Sequence, residues 1–330
     1  MLILAKSVLA LMIGFLISAF LGLIMLPLLK RLKIGQKVSV YVEDYHKKKD
    51  GTPTMGGLMF ILGTLLSVII LLLTGKIEVT SNLSIVLFVF IAYAAIGFID
   101  DYLSIKRKSN IGLSTIQKLV LQFIVAAIFF FLFMRGGNEP ILEIYTLNIK
   151  INMGIMYGLF ILFILIGSSN AINITDGLDG LAGGLAAIAF LSFGLISWGA
   201  TWIVGYQEIA IVCFIIVGSL LGFLIYNSHP ARVFMGDTGS LALGATLATI
   251  AILTGHEITL LVVAGIFVIE TLSVIFQNAS VILFKKKMFL MSPLHHHFEK
   301  LGWEERDIVK LFWVFGFILG MAGIAFGVWI

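Results

Sequence analysis

Long apolar runs separated by short polar breaks dominate the hydrophobic pattern of this 330-residue chain. The first uncharged run extends from Ser7 to Leu29, and about 20 such residues are enough to cross a bilayer as a helix. No ten-residue polar–apolar alternation repeats along the chain, so strands are not expected. The pattern predicts an all-α polytopic membrane protein with one transmembrane domain, residues 1–330. Its ten predicted spans are 5–29, 55–74, 84–102, 117–134, 151–168, 182–198, 209–226, 240–254, 258–284 and 308–329.

Composition favours a membrane protein over a soluble domain. Hydrophobic residues make up 60% of the chain and charged residues only 12%, whereas soluble domains carry about 25% charged residues. The N-terminal run is too long for a signal-peptide core and its basic residues mostly follow it, so we interpret it as a retained span. The single cysteine, Cys213, excludes an internal disulfide and a CxxC-type metal site.

The distribution of lysine and arginine predicts the orientation of the spans. All but four of the 22 Lys and Arg residues lie on the side reached by the loops after every odd-numbered span. The four on the other side are Lys6, Lys76, Arg135 and Lys150. Because positive residues accumulate in cytoplasmic loops, the odd-numbered spans are predicted to end in the cytoplasm and both termini to be extracytoplasmic.

Five aspartates from three separate loops fall on the predicted cytoplasmic face: Asp100, Asp101, Asp176, Asp179 and Asp237. Their convergence predicts that the active site lies on this face. The pair Asp100-Asp101 ends a helix, where the dipole costs each carboxylate roughly 0.3–1 kcal/mol. Either the neighbours Lys106, Arg107 and Lys108 neutralise an interfacial pair, or a bound cation offsets the charges and one aspartate acts as base or nucleophile.

Two further stretches contain candidate ligands. Polar side chains recur every third residue at Asn170, Asn173, Asp176 and Asp179. In a helix this spacing gives one broad polar face; the alternative is a glycine-rich turn with solvated side chains. Asp237 is either an ordinary helix N-cap or a metal ligand beside a phosphate bound at the helix N-terminus. Phe234 is either an interfacial anchor or a ring that stacks on a base.

Histidines and an intramembrane acid add candidates. His295, His296 and His297 are predicted to lie in a loop. Because their surroundings are rich in oxygen ligands, which suit Mg²⁺, we interpret them as phosphate donors or proton handlers. Glu270, in the middle of predicted span 9, must face protein or water, and it either bonds between helices or lines a cavity. A small-residue face for helix packing or dimerisation is formed by Gly316, Gly320, Gly323 and Gly327.

Together these groups favour phosphoryl transfer at the membrane edge. Acids that hold a metal and basic groups that bind anions supply the positioning and charge neutralisation which that chemistry needs. A soluble phosphate donor would arrive from the cytosol and a lipid phosphate from the bilayer. A secondary transporter is the alternative of another class, although transporters bind near the midplane and often show repeated halves. An intramembrane aspartyl protease is a further alternative. It would need two aspartates facing each other within the bilayer, whereas these aspartates are predicted to lie at its edge.

Five motifs in order resemble a known family. They are TPTMGG, GFIDDYL, NITDGLDGLAGG, FMGDTGSLALG and SPLHHHFEKLGW. They resemble the phospho-N-acetylmuramoyl-pentapeptide transferases, members of the polyprenyl-phosphate N-acetylhexosamine-1-phosphate transferase superfamily. The resemblance implies Mg²⁺-dependent transfer of phospho-MurNAc-pentapeptide from its UDP donor to undecaprenyl phosphate, which releases UMP and forms lipid I in the bacterial cytoplasmic membrane. A related transferase with another UDP-N-acetylhexosamine donor is the alternative.

The resemblance also implies residue roles. Asp237 would ligate Mg²⁺, Asp100 and Asp101 would lie at the reacting phosphates, and the histidines would lie near the diphosphate or the sugar. With Asn170, the candidate substrate-binding residues are Lys49, Thr54, Asn173, Asp176, Asp179, Asn227, Phe234, Ser240 and Gln277. The reaction proceeds either through a covalent intermediate on one of the paired aspartates or, as we favour, by direct attack after Asp100 deprotonates the lipid phosphate.

The family pattern makes three further implications. It implies a homodimer, with membrane lipids and no nucleic acid as partners. It implies a break in predicted span 9 near Lys285 to Pro293 that opens a groove for the lipid. Many members have a lysine directly before the glycine of the loop after span 3, where this chain has Ile111. Lys106 and Lys118 are the candidate replacements.

Overall fold

A computed structural model describes residues 3–31, 49, 51–107, 112–144, 149–199 and 206–329. The candidate residue Ile111 and five predicted cytoplasmic basic residues, Lys33, Lys37, Lys47, Lys48 and Lys108, lie outside these ranges. The first helices are α1 (Ile3–Arg31), α2 (Gly57–Leu73), α3 (Ser81–Arg107) and α4 (Thr115–Arg135). A hairpin of β1 (Ile141–Ile144) and β2 (Ile149–Asn152) follows. The remaining helices are α5 (Met156–Thr175), α6 (Leu181–Gly199), α7 (Tyr206–Asn227), α8 (Gly236–Leu253), α9 (Glu257–Val263), α10 (Gly265–Phe284), α11 (Leu294–Lys300) and α12 (Glu305–Ile324), which ends in a π-helical turn, Ala325–Trp329.

The helices confirm the predicted all-α polytopic architecture. Within the described residues, nine helices are long and apolar enough to cross a membrane, and α2 is a shorter apolar helix of 17 residues. Each of the ten predicted spans has a helical counterpart, although α9 and α10 share the ninth. That span breaks at Ala264, where the dihedrals leave the helical region before α10 begins.

The expectation that strands are absent is wrong for one short hairpin. Residues Ile141–Ile144 pair antiparallel with Ile149–Asn152, and Glu143 lies opposite Lys150 with their charged atoms 2.8 Å apart. The predicted span 151–168 therefore begins too early, because α5 starts at Met156 and continues to Thr175. Each strand has only four residues, which is too short for an alternating sequence pattern to identify it.

The segment after α10 confirms the predicted break and corrects the placement of the histidines. Helix α10 ends at Phe284, and Lys285 adopts a left-handed conformation with φ of 55°. The three histidines do not lie in a loop, because they form the first turns of the short helix α11.

Helix α8 forms the centre of the bundle. Every residue from Thr238 to Leu253 is buried, because α3, α5 and other helices surround it. A helix buried on all sides is largely apolar all round, and the only charged residue of this one is Asp237, at its N-terminal end. The packing thus brings the start of α8 to one end of the helices around it.

Small residues allow close packing at two places. Helix α7 lies directly against α1, since a Cβ added at Gly218 would overlap the carbonyl of Leu11. The glycine face of α12 packs within the same chain: added Cβ atoms at Gly316 and Gly320 would meet Leu185 and Ser192 of α6. That face is therefore an intramolecular packing surface and is not available to a second copy; homodimerisation itself stays a prediction.

Candidate active site

The carboxylate of Asp101 caps the N-terminus of helix α8. Its Oδ1 accepts the N–H of Asp237 at 3.1 Å, and its Oδ2 accepts the N–H and the hydroxyl of Thr238 at 2.9 and 2.6 Å. The side chain is buried, with 8% of the residue exposed. A carboxylate is stabilised at the positive end of a helix dipole, so the start of α8 compensates for the unfavourable position of Asp101 near the end of α3.

Asp100 turns to a different partner. Its Oδ1 accepts the N–H of Leu113 at 2.9 Å and lies 3.1 Å from Nζ of Lys118. The same ammonium donates to Oδ2 of Asp237 at 2.7 Å. One lysine of α4 therefore joins the carboxylates of α3 and α8. The expected neutralisation of Asp100 comes from this lysine, whereas Arg107 donates to the carbonyl of Gly112.

Two glycines permit this close approach. A Cβ at Gly112 would lie 2.6 Å from Oδ2 of Asp100, so a larger residue would push the loop off the carboxylate. Gly236 has φ of +77°, which favours glycine, and a Cβ there would lie 2.6 Å from Oδ2 of Asp101.

The predicted polar face divides at the end of α5. Asn173 donates to Oδ1 of Asp237 at 2.7 Å and to the hydroxyl of Ser240 at 2.9 Å. Asn170 instead donates to the carbonyl of Ile166 on its own helix. Asp176 and Asp179 are not part of the helical face, because α5 ends at Thr175. The helical interpretation is thus correct for the asparagines and wrong for the aspartates.

The segment around Thr54 is tied by its main chain to the loop before α8. Phe234 donates its N–H to the carbonyl of Pro53 at 2.8 Å, and Gly56 returns a bond to the carbonyl of Phe234 at 2.8 Å. Buried Asn227, the last residue of α7, donates to the carbonyl of Val233 at 3.0 Å and so connects α7 to the same loop. Thr54 and Phe234 are therefore held beside the start of α8.

Asp176 follows α5 directly, in the turn that leads to Asp179. Desolvation raises its pKa well above the ordinary aspartate value, and the charges of Asp237, Asp101 and Asp179 raise the pKa further, while Lys49 lowers it. Asp179, three residues further along the chain, bonds to Lys49, so the polar groups continue from this turn to that lysine.

Around Lys49 lies a second cluster, two of whose members the sequence did not reveal. Nζ of Lys49 donates to Oδ1 of Asp179 at 2.7 Å and to Oε1 of Glu305 at 2.6 Å. Nδ1 of His229 lies 3.2 Å from Asp179 and 3.1 Å from Glu305. His229 lies between Asn227 and the motif FMGDTGSLALG, and Glu305 follows the motif SPLHHHFEKLGW by two residues. Their nearness to the motifs was the available signal.

Glu270 is a hydrogen-bond partner of His295, the first of the three consecutive histidines. Both residues are fully buried. Glu270 accepts the N–H of His295 at 3.1 Å and lies 3.0 Å from its Nδ1, so it fixes the start of α11 and the orientation of the ring. Nε2 of His295 has no hydrogen-bond partner among the described residues and faces Gly177, where an added Cβ would overlap the ring.

The other candidates near α11 brace the segment that leads into it. Oε1 of Gln277 accepts the N–H groups of Met288 and Phe289 at 3.0 and 2.9 Å. Nδ1 of His297 accepts the N–H of Leu290 at 3.1 Å. Nδ1 of His296 lies 2.6 Å from Oε2 of Glu299. Gln277 and His297 thus hold the return segment between α10 and α11 in place.

Two groups offer ligands for a divalent cation. Among the described residues, Asp179, His229 and Glu305 present ligand atoms within 4.8 Å of one another. The Asp179 and Glu305 side chains are only 3% and 11% exposed, and they already accept bonds from Lys49 and from main-chain N–H groups. Asp237 is more open, at 24%; it accepts bonds from the Asn173 amide and from Lys118, and the same lysine contacts a second carboxylate, that of Asp100. Because Mg²⁺ prefers oxygen ligands, the Asp237 group fits that ion better.

Comparisons with known proteins identify a family model and relatives that match this chain. A model described as glycosyl transferase family 4 matches residues 83–255, and a phospho-N-acetylmuramoyl-pentapeptide-transferase signature 1 matches residues 49–61. A phospho-N-acetylmuramoyl-pentapeptide-transferase from Geobacillus sp. (strain WCH70) is 47% identical over 324 residues, covering 98% of each chain. Another, from Bacillus subtilis (strain 168), is 45% identical over 320 residues, covering 97% of each.

Proposed function

Because the chain belongs to the phospho-N-acetylmuramoyl-pentapeptide-transferase family, we propose that it transfers phospho-MurNAc-pentapeptide from UDP-MurNAc-pentapeptide to undecaprenyl phosphate. The products are UMP and lipid I. Membership of the family confirms the resemblance seen in the five motifs. Together with the membrane-length helices, it identifies a multi-pass protein of the bacterial cytoplasmic membrane.

One observation carries the proposal: a single ammonium, that of Lys118, contacts the carboxylates of both Asp100 and Asp237. These acids come from helices α3 and α8, which are far apart in sequence. A site that holds two acids and a cation together suits the meeting of two anionic reactants, since phosphoryl transfer depends on positioning and charge neutralisation. We place this site on the cytoplasmic face, where the UDP donor is found.

The oxygen ligands of this group suit Mg²⁺. Asp237, with Asp100 beside it, would hold the ion. When bound, Mg²⁺ would neutralise the negative charge that develops on the diphosphate of the donor. Lys118 already contributes one positive charge at the same place.

In the proposed reaction, Asp100 accepts the proton of the lipid phosphate. An oxygen of that phosphate then attacks the β-phosphorus of the donor, and the bond between this phosphorus and the bridging oxygen breaks, so that UMP leaves. Both oxygens of Asp101 are bonded to the start of α8, which supports a positioning role over a nucleophilic one. Asp101 then fixes Asp237, the residue that would hold the metal.

The second cluster would bind the donor. The ammonium of Lys49 would bind an anionic or carbonyl group of the nucleotide. Phe234 is held at the same loop by main-chain bonds and would stack on the uracil ring. By the family pattern His295 would lie near the diphosphate or the sugar, and the buried Glu270 fixes the orientation of its ring.

The deciding experiment is a transfer assay with purified protein in detergent. Radiolabelled UDP-MurNAc-pentapeptide and UDP-GlcNAc are offered in parallel with undecaprenyl phosphate, with Mg²⁺ and again with EDTA. We expect label in the lipid fraction only from the MurNAc donor, and only with Mg²⁺. Transfer from UDP-GlcNAc alone would assign the chain to a related transferase. Transfer that survives chelation would refute the role of the metal.

A further inference from the structure

The cluster around Lys49 contains an acid that no motif accounts for. Glu305 is the first residue of α12, and Lys49 precedes α2, 256 positions earlier in the chain. Their charged atoms are 2.6 Å apart, and the exposed fractions of the side chains are 15% for Lys49 and 11% for Glu305. An ion pair so short and so little exposed is shielded from the solvent screening that weakens surface pairs.

Glu305 holds more than the lysine. Its Oε1 also accepts the main-chain N–H of Asp179 at 2.7 Å. Asp179 in turn accepts from Lys49 through Oδ1 and from the N–H of Ala231 through Oδ2 at 2.9 Å. The carboxylate of Glu305 therefore connects the segment before α2, the turn after α5 and, through Asp179, the loop before α8.

The two carboxylates beside Lys49 fix the position of its ammonium group. A lysine side chain has four rotatable bonds and would otherwise sample many positions. Here its ammonium lies between two carboxylates, and charge-assisted bonds of this kind are roughly twice as strong as neutral ones. Nδ1 of His229 lies 3.2 Å from Oδ2 of Asp179 and 3.1 Å from Oε2 of Glu305. The head of Lys49 is thus fixed before any ligand arrives.

We propose that Glu305 is a positioning residue that holds Lys49 and the Asp179 turn ready for the UDP donor. This inference rests on the proposed function, since it assumes that Lys49 contacts the donor. Without the carboxylate, Lys49 keeps only Asp179 as a partner, and the main-chain N–H of Asp179 loses its acceptor. The donor must then order both groups as it binds. Substitution of Glu305 should weaken donor binding and leave the chemical step, which is carried by other residues, nearly unchanged.

The test measures KM and kcat for UDP-MurNAc-pentapeptide in wild type, Glu305→Gln and Glu304→Gln. Glu304 is the exposed neighbour at the same helix end and makes no side-chain cap bond within the described part of the chain, so it is the matched control. We expect Glu305→Gln to raise KM about tenfold with kcat within about twofold of wild type, and Glu304→Gln to change neither. A fall in KM would mean that Glu305 sequesters Lys49 and would overturn the proposal.

A double-mutant cycle tests whether the effect passes through Lys49. We expect Glu305→Gln to add less than about twofold to KM in a Lys49→Met background, because residues that act through one contact are not additive. Full additivity would overturn the proposal. Partial unfolding would lower kcat in proportion to the folded fraction and leave KM unchanged, and that result would also overturn it.

Two controls separate this inference from the proposed function. Absence of transfer in wild type would reject the function itself, whereas normal transfer with an unchanged KM in Glu305→Gln would reject only the positioning role. If Glu305→Gln yields no folded protein, Glu305→Asp replaces it. The aspartate keeps the charge but is one methylene shorter, so KM should still rise, and a wild-type KM would overturn the proposal.

Discussion

Asp100 and Asp101 are neighbours in sequence, yet they have different partners. Adjacent helical residues point about 100° apart, so one carboxylate faces Lys118 while the other meets the first N–H groups of α8. Two positive partners, an ammonium and a helix N-terminus, thus offset two acids at an unfavourable helix end. The sequence motif showed that both residues matter, and only the packing of α3 against α8 separates what each one holds.

Asp101→Asn should destabilise the protein, because the amide nitrogen cannot accept the bonds that the second carboxylate oxygen now accepts. Loss of a helix cap costs about 1–2 kcal/mol, so the unfolding midpoint in detergent should fall. Asp307→Asn, on the exposed face of α12, is the matched control and should leave the midpoint in place. A variant with wild-type stability and no transfer would instead make Asp101 a direct participant in the chemistry.

Asp100→Asn and Asp237→Asn should each lower kcat at least ~10²-fold, because each removes a negative group from the place where charge is redistributed in the reaction. The measurement is the transfer assay at saturating donor and lipid, on protein whose unfolding midpoint matches wild type. Asp307→Asn again serves as control. Near-normal turnover in either variant contradicts the role given to that residue.

Among the elements, the long helices follow from the sequence and the short ones do not. Hydropathy averaged over about 20 residues reports burial in lipid whatever the neighbours are, which is why the predicted spans match helices. The strands Ile141–Ile144 and Ile149–Asn152, the break at Ala264 and the helix Leu294–Lys300 depend on tertiary contacts. In the hairpin Glu143 pairs with Lys150, and at the start of α11 His295 bonds to the buried Glu270.

Gly218→Ala should destabilise the bundle, because the new Cβ would overlap the carbonyl of Leu11 and force α1 and α7 apart. Overpacking of this kind costs about 1–3 kcal/mol. Gly167→Ala is the matched control: it lies in α5, and no atom of the described residues comes within 4 Å of the added Cβ. The higher helix propensity of alanine should therefore leave this variant neutral or stabilised by up to about 1 kcal/mol. The comparison is made by SDS-induced unfolding in mixed micelles; equal midpoints would contradict the close packing.

Considered as a whole molecule, the site was only partly predictable. The motifs located the acids, the histidines and Asn173, since each motif is a local pattern. They could not reveal that Lys118 joins Asp100 to Asp237, or that His229 and Glu305 meet Lys49 and Asp179. Those contacts join segments whose sequence separation carries no periodic signal, so they become visible only when the helices are placed.

The predicted orientation of the chain can be tested with introduced cysteines, because the native Cys213 is fully buried. Lys286 and Glu78 are both exposed and lie at opposite predicted faces. Lys286→Cys should react with a membrane-impermeant maleimide in inverted vesicles and not in intact cells, and Glu78→Cys should do the reverse. The opposite result would place the site, against the lysine and arginine distribution, on the outside.

The contact between Lys49 and Glu305 also bears on how the enzyme is made. A ribosome delivers the N-terminal segments to the membrane first, and the partner of Lys49 belongs to the last described helix, 256 positions later. If this cluster binds the donor as proposed, a nascent chain that has not yet inserted α12 lacks one wall of the pocket. Such a chain would not hold the nucleotide in the way that the chain with α12 in place would.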